Sequence, residues 1–188
     1  GLAALPSIED FTLAAVVKPT LLDGRRRNIM TLSGLAEIGI DENNHLTGIV
    51  GGKTLVSAKH LSTEHWHIVS LSYSNSERSL SLAIAQDRDA SSEPLRPDIV
   101  SIEVDLPSGA TNECIIAANR GQDGELTNFF DGKIDRPAFF DSAIAPDILR
   151  NLLGDFSVLR RQRSLLGAWD FSRKMTTQKI CDISPYQL

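Results

Sequence analysis

Two carboxylates that stand two residues apart, Glu103 and Asp105, are the first candidates for chemistry. Alternate side chains of a β-strand share a face. The pair could therefore begin the E-x-D-x-(x)-E strand of a retaining glucanase, whose two carboxyl groups lie about 5 to 5.5 Å apart. The chain continues as Leu106-Pro107-Ser108, so the second acid of that pattern is missing. We expect a solvated strand face and keep glycoside hydrolysis as an alternative function.

Histidine and cysteine spacing gives little support for a transition-metal site. His65 and His67 are two residues apart on a predicted strand and could share an ion, but no third candidate ligand stands at a spacing typical of a metal site. We therefore predict that His67 is a hydrogen-bonded core residue and that His65 belongs to a loop. Cys114 and Cys181 lie far apart without CxxC spacing, so neither a disulfide framework nor a zinc site is expected.

Calcium is the one cofactor for which the sequence offers candidates. Oxygen-bearing side chains of the kind that calcium prefers are found at Asp41, Asn43, Asn44 and Asp131. They do not form an ordered ligand series. A glycine-rich phosphate loop and a G-x-S-x-G nucleophile elbow are both missing from the sequence. We therefore assign no catalytic or cofactor-binding residue, and the ligand-binding residues stay unknown.

The charge balance argues against nucleic acid as a partner. The formal net charge is -5 and the isoelectric point about 5.3, so no basic field exists to neutralise phosphates. The basic runs at 25–27 and 160–163 are short, and we interpret them as solvated turns. Because no apolar stretch of about 18 residues occurs and no basic-then-apolar leader is present, we expect no membrane span and no signal peptide. The compartment stays open, with the cytoplasm favoured.

The elements that position these residues are strands, because apolar side chains recur with period two along most of the chain. One short helix is predicted at 146–153, where the apolar spacing becomes helical and Gly154 ends the run. Antiparallel hairpins without crossover helices build two packed sheets. The predicted fold class is therefore all-β, an antiparallel two-sheet jelly-roll sandwich with one short C-terminal helix. The predicted strands are 11–17, 28–32, 36–40, 46–50, 54–57, 66–73, 80–84, 100–106, 114–118, 129–130 and 134–140. Within one hairpin, Val69, Leu71 and Tyr73 are predicted to stack against Leu80, Leu82 and Ile84.

Two blocks of sequence resemble laminin-G-like and concanavalin A-like domains. Residues 66–73, W-H-I-V-S-L-S-Y, are similar to the family's W-H-x-V-x-L-x-Y strand. The block 130–148 is similar to its closing F-x-G-x-I-D and Y-x-R-A-L-S-P-E-E-I segment, and the match covers about residues 8–154. Where the family has a serine before the helical proline this chain has Ala145, so the helix lacks a cap worth ~1 kcal/mol. The resemblance implies a lectin-type sandwich, and in some members a calcium ion at its rim.

A narrower resemblance involves the segment beyond the helix. Residues 168–172, A-W-D-F-S, resemble the opening strand of the same family, although they stand at the opposite end of the chain. Together with 130–137, F-D-G-K-I-D-R-P, they resemble N,N-dimethylformamidase large subunits, in which a laminin-G-like module accompanies the catalytic part. That implies a parent amide hydrolase with a non-heme iron held by tyrosine and glutamate in another region. Tyr73 and Tyr186 lie in no ligand motif, so no catalytic role is carried over.

These observations lead to predictions of organisation and function. We predict a sandwich domain over residues 1–154. Residues 155–188 are either a crossing loop and a C-terminal strand that completes the sandwich and buries Trp169, or the start of a following domain. The predicted function is a non-catalytic accessory module of a larger enzyme, with flanking domains and other subunits as partners. The first alternative is a lectin-like, calcium-assisted carbohydrate-binding module. Trp169 and Phe171 could meet a sugar ring, although their alternation with Leu165 favours an inward face.

Overall fold

The computed structural model describes residues 8–87, 96–106, 113–171 and 180–186, which form two large antiparallel sheets, a short β-ribbon and two short helices. Period-two alternation produces most of the long strands, because alternate side chains then face a core. The elements in chain order are β1 Phe11–Pro19, β2 Arg27–Leu32, β3 Ala36–Ile40, β4 His45–Val50, β5 Lys53–His60, β6 Trp66–Ser74, β7 Ser79–Asp87, β8 Asp98–Glu103, β9 Cys114–Ile116, β10 Asn119–Arg120, β11 Leu126–Thr127, β12 Gly132–Phe140, α1 Pro146–Gly154, α2 Phe156–Leu159, β13 Leu165–Asp170 and β14 Cys181–Asp182.

The sheet order confirms the predicted sandwich. The large sheet has the order β14-β13-β12-β1-β6-β7-β8, and the small sheet has the order β5-β4-β3-β2-β9. β10 and β11 pair only with each other among the described strands. The predicted stacking in the β6–β7 hairpin is also confirmed, since the register sets Val69 opposite Ile84, Leu71 opposite Leu82 and Tyr73 opposite Leu80.

The large sheet has a core on each of its faces. Its inner face packs against the small sheet through the apolar residues of β1, β6 and β7, which meet those of β2, β3 and β4. Its outer face is covered in part by the helices, whose buried leucines Leu149, Leu152, Leu153 and Leu159 pack on Ala14, Ile68, Ala138 and Phe140. This second core explains why β1 is buried along almost its whole length.

The helix predicted at 146–153 is confirmed, and it runs one residue further. As the sequence indicates, Ala145 gives its N-terminus no side-chain cap. The segment predicted as a plain crossing loop contains α2, which Asp155 caps by accepting a hydrogen bond from the Ser157 amide at 2.7 Å. Arg136 joins both helices to β12: its Nη1 donates to the Leu153 carbonyl at 2.7 Å, and its guanidinium lies over the Phe156 ring.

The segment beyond the helices lies alongside β12. β13 pairs with β12 through Ala168 opposite Ala138 and Gly167 opposite Phe139, and Trp169 is partly buried against the inter-sheet core. Ser172, the last residue of the A-W-D-F-S segment, lies outside the described residues. The division at residue 154 stays a prediction. Neither of the described helices is long and apolar enough to cross a membrane.

Candidate functional site

Three chain segments meet in the sandwich and border an open cleft of about 580 Å³. They are the β1–β2 loop, the β3–β4 hairpin and the segment that precedes β12. Backbone hydrogen bonds hold them together, since the Asn28 amide donates to the Asn128 carbonyl at 2.7 Å and the Ala117 amide donates to the Ile29 carbonyl at 2.8 Å. We call this cleft the rim pocket. It is lined by Gly24, Arg25, Arg26, Arg27, Glu42, Asn128 and Phe129.

The three arginines of the rim pocket are not equivalent. Arg27 Nη2 donates to both carboxylate oxygens of Asp23 at 3.0 Å, and its Nη1 donates to the Phe129 carbonyl at 2.9 Å. Arg26 is paired with Glu37 at 2.9 Å. Arg25 is 79% exposed and only approaches Asp23, at 3.4 Å. Arg26 and Arg27 therefore build the wall, whereas Arg25 remains available to a ligand.

Asp23 organises this group of charges. Partial burial raises its pKa, but the hydrogen bond from Arg27 and the positive charges of Arg27 and Arg25 outweigh that effect, so the pKa lies below its ordinary value. The carboxylate is therefore ionised at neutral pH and keeps Arg27 in place. The prediction of a solvated turn at 25–27 is corrected only for Arg27, which begins β2 and is largely covered by its partners, whereas Arg25 is exposed as predicted.

Phe129 is the exposed aromatic of the rim pocket, with 57% of its surface accessible. It was predicted to lie in a strand, but the structure places it before β12 in an irregular segment. Asn128 has φ of 52° and Ala117 has φ of 67°, in the left-handed region that residues other than glycine rarely adopt. Strained backbone of this kind persists only where the surroundings hold it, and here the hydrogen bonds to β2 do so.

A polar network lies behind the pocket on the outer face of the small sheet. Glu37 Oε2 accepts from Arg26, from Asn28 Nδ2 at 3.0 Å and from Asn119 Nδ2 at 3.4 Å. Asn119 Oδ1 in turn accepts from Thr127 and Asn128. The network connects β2 and β3 to the β10–β11 ribbon, so the side chains around the pocket are held before any ligand arrives.

The calcium candidates make hydrogen bonds in two different segments of the chain. Asp41 Oδ1 accepts from the backbone amides of Asn43 at 2.9 Å and His45 at 2.8 Å, which closes the β3–β4 turn, and Asn44 adopts φ of 68° there. Asp131 Oδ1 instead accepts from the Thr20 hydroxyl at 2.9 Å. No group of three or more His, Cys, Asp or Glu side chains that could hold a metal ion occurs among the described residues. Calcium binding stays a prediction.

The two histidines occupy the predicted environments. His67 is buried, and its Nε2 lies 3.1 Å from the Ser62 amide nitrogen and 3.3 Å from the Ser62 carbonyl oxygen. Burial lowers the pKa of His67, and the hydrogen bond with Ser62 only partly opposes this effect. His65 is exposed near Glu64. The prediction of a core His67 and a loop His65 is confirmed.

The remaining sequence candidates lie away from the rim pocket. Glu103 and Asp105 are exposed and paired with Arg78 at 3.6 and 2.6 Å, at the end of β8. Pro107 and Ser108 lie outside the described residues. The Tyr73 hydroxyl accepts from the Leu106 amide at 3.3 Å inside the sandwich, and Tyr186 is exposed near the C-terminal end.

The fold is shared with two proteins of known structure. One is from Bacteroides ovatus ATCC 8483, and its assignment as a carbohydrate binding protein is itself provisional; the TM-score is 0.70 at 17% identity, over 96% of this chain and 51% of that one. The other is the native heptameric SAP-like pentraxin from Limulus polyphemus, with a TM-score of 0.54 at 11% identity over 81% of this chain and 73% of that one.

These likenesses agree with the antiparallel jelly-roll sandwich described above, and at such identities they show the fold alone. The chain spans about half the length of the Bacteroides protein. No family model matches the sequence, and no curated protein matches it. The narrower resemblances to laminin-G-like domains and to N,N-dimethylformamidase large subunits therefore stay predictions.

Proposed function

We propose that this chain is a carbohydrate-binding module and that the rim pocket is its binding site. The observation that carries the proposal is the exposed Phe129 ring at an open cleft of about 580 Å³ whose wall contains three arginines. The similarity of the fold to that of the Bacteroides protein supports it. This reverses the order of the two functions inferred from the sequence, in which carbohydrate binding was the alternative.

Phe129 and Arg25 have complementary roles in this proposal. The exposed aromatic ring offers an apolar surface on which the C–H face of a sugar ring can stack. Arg25, Asn128 and Glu42 supply donors and acceptors around it for sugar hydroxyls.

Arg27 acts as a positioning residue. Its hydrogen bond to the Phe129 carbonyl connects the Phe129 backbone to Asp23, so this backbone does not have to be ordered when a sugar binds. A site whose parts are already held loses less conformational entropy on binding. Affinity should therefore depend on Asp23 and Arg27 even though both carboxylate oxygens of Asp23 already accept hydrogen bonds from Arg27.

The test is binding of the whole chain to a panel of soluble neutral and uronic-acid oligosaccharides, measured by isothermal titration calorimetry. Phe129→Ala should weaken binding at the rim pocket at least tenfold, equivalent to about 1.4 kcal/mol, with an unchanged melting temperature. The matched control is Leu126→Ala, which truncates another exposed apolar side chain of the same segment. Equal affinities for Phe129→Ala and the parent protein would refute the site. Failure of the whole panel would refute the function.

The role of calcium is tested separately. If Asp41, Asn43, Asn44 or Asp131 binds the ion, adding calcium should raise the melting temperature and a chelator should reverse the rise. Asp41→Asn should remove the effect if the β3–β4 turn holds the ion, and Asp131→Asn should do so if the segment before β12 does. An unchanged melting temperature would show that the free chain does not bind the ion.

A place within a longer protein is the second proposal, and it is compatible with the first. The sandwich of this chain corresponds to about half of the Bacteroides protein. Such a protein could be an enzyme in which this chain is an accessory module, like the one in N,N-dimethylformamidase large subunits. The module would then bind carbohydrate for the enzyme or contact its flanking domains. The sequence of the full-length gene product tests this directly, because a neighbouring catalytic domain would identify the activity.

A further inference from the structure

A second cavity lies on the opposite side of the sandwich, on the outer face of the large sheet beside α1. Its volume is about 440 Å³. The floor consists of serines from β6 and β7, and the wall consists of residues 143–146, which lead into α1. We call it the serine groove. Its five serines are Ser70, Ser72, Ser74, Ser79 and Ser81.

Strand alternation produces this row of hydroxyls. In β6 the residues between the serines, Leu71 and Tyr73, point into the inter-sheet core, so the serines point outward. The register places Ser72 opposite Ser81 and Ser74 opposite Ser79, so hydroxyls from neighbouring strands lie side by side. The groove is therefore a regular array of hydroxyl groups rather than a chance indentation.

Hydrogen bonds fix both the floor and the wall. The Ser72 hydroxyl lies 3.0 Å from that of Thr12, which donates to the Ser142 carbonyl at 2.7 Å and accepts from the Ile144 amide at 2.9 Å. The wall is thus attached to the sheet through Thr12. Ser81 pairs with Ser101 of β8 at 2.7 Å, beyond the groove.

Ser70 offers its hydroxyl to the groove. The residue lines the groove and is only 3% exposed, but its Oγ is not one of the buried oxygen atoms that lack a partner, so this atom is open to solvent. Water therefore satisfies the hydroxyl in the free protein. A bound molecule in the groove can replace that water.

The chemistry of the groove selects the class of ligand. A hydroxyl both donates and accepts, so an array of serines complements a molecule that carries many hydroxyls. Among the described residues that line the groove, Glu77 is the only charged one, so none of them is a cation that could pair with a phosphate, sulfate or carboxylate. Ile99 is exposed at the edge and offers an apolar contact. We propose that the serine groove is a second binding site, for a neutral oligosaccharide.

This proposal rests on the groove itself and is independent of the rim pocket. Its consequence is a module with two sugar sites on different faces, one beside the small sheet and one on the large sheet. Such a module binds one long glycan at two points or joins two glycans. A multivalent ligand would then bind more tightly than either site alone allows.

The experiment is titration calorimetry of the whole chain with neutral hexasaccharides, namely cellohexaose, laminarihexaose, xylohexaose and mannohexaose. Ser81→Phe should fill the groove and abolish binding there, because the aromatic ring occupies the space above the floor. Ser101→Phe is the matched control, since it places the same ring on the exposed neighbour outside the groove and also removes the Ser81–Ser101 hydrogen bond. Phe129→Ala isolates the groove from the rim pocket.

Ser70→Ala keeps the test valid if Ser81→Phe does not fold. The Ser70 hydroxyl has no partner in the described part of the chain, so its removal should leave the melting temperature unchanged or raise it. Binding at the groove should nevertheless weaken about two- to tenfold, the usual range for one hydrogen bond.

The expected result is that Phe129→Ala retains binding of a neutral hexasaccharide and that adding Ser81→Phe, but not Ser101→Phe, removes it. Loss of all binding in Phe129→Ala alone would overturn the serine groove and leave the rim pocket standing. Loss of all binding in Ser81→Phe alone would support the groove and overturn the rim pocket. An absence of binding in the parent protein to every hexasaccharide would overturn the serine groove.

Discussion

Two adjacent leucines of β13 test whether the C-terminal segment is part of the sandwich. Leu165 is fully buried in the core between the large sheet and the helices, whereas Leu166 is buried in the core between the two sheets. Leucine-to-alanine substitutions at buried sites cost about 2–5 kcal/mol, because the cavity that remains collapses only partly. Leu165→Ala and Leu166→Ala should each show a loss in that range although their side chains point in opposite directions.

The size of this loss makes it easy to measure. For a domain of this length, 1 kcal/mol corresponds to about 2–4 °C in melting temperature, so each substitution should lower it by about 4–20 °C. Urea unfolding followed by tryptophan fluorescence should show a lower midpoint with an unchanged slope, because the surface exposed on unfolding hardly changes. Both cores would then be shown to need β13.

Ile180→Ala is the control, because this C-terminal isoleucine is 58% exposed. Its effect should stay within about 0.5 kcal/mol. If Leu165→Ala and Leu166→Ala unfold at the same urea concentration as the parent protein, the segment after residue 163 contributes nothing to the sandwich. The C-terminal residues would then belong to a following domain, and the reasoning from burial would be refuted.

Three further predictions concern pH, a close backbone approach and a helix cap. Burial lowers the pKa of His67 in the folded protein, so as the pH falls this side chain takes up a proton in the unfolded chain before it does so in the folded one. The free energy of unfolding should therefore be constant above about pH 6.5. Below that pH it should decrease until the pH reaches the folded-state pKa of His67. Thermal melts across this range should show that dependence in the parent protein and in His65→Gln, and His67→Gln should flatten it. Gly39→Ala should cost about 1–3 kcal/mol, because a Cβ atom would collide with the carbonyl oxygen of Arg27; an unchanged urea midpoint would contradict this. Ala145→Ser should stabilise the chain by about 0.5–2 kcal/mol through the missing cap of α1, and a lower melting temperature would count against the capping argument.

The strands and the helix could be predicted from the sequence because their signals are local. The pairing of Leu71 with Leu82 follows from two alternating runs joined by a short turn, and it is confirmed. The burial of His67 follows from the same alternation. The missing cap at Ala145 is equally local, since one residue type decides whether a side-chain oxygen is present.

The rim pocket could not be predicted in the same way. Arg27 and Phe129 are 102 positions apart, and their contact depends on the β-strand order of the small sheet. The short arginine run was interpreted as a solvated turn because nothing near it in sequence reveals Glu37 or the Phe129 carbonyl as partners. The pair formed by Asp23 and Arg27, four residues apart, is the one local signal that could have indicated an ordered loop.

The serine groove depends partly on a local sequence pattern and partly on the tertiary structure. The sequence by itself determines that Ser70, Ser72 and Ser74 share the outer face of β6, because period two leaves no other arrangement once Leu71 and Tyr73 are buried. Only the tertiary structure decides that residues 143–146 stand over them, since the attachment runs through Thr12 to Ser142 across 130 positions. Side-chain periodicity is set by the backbone of a single strand, whereas a cavity requires walls from segments that only the packing of the whole sandwich brings together.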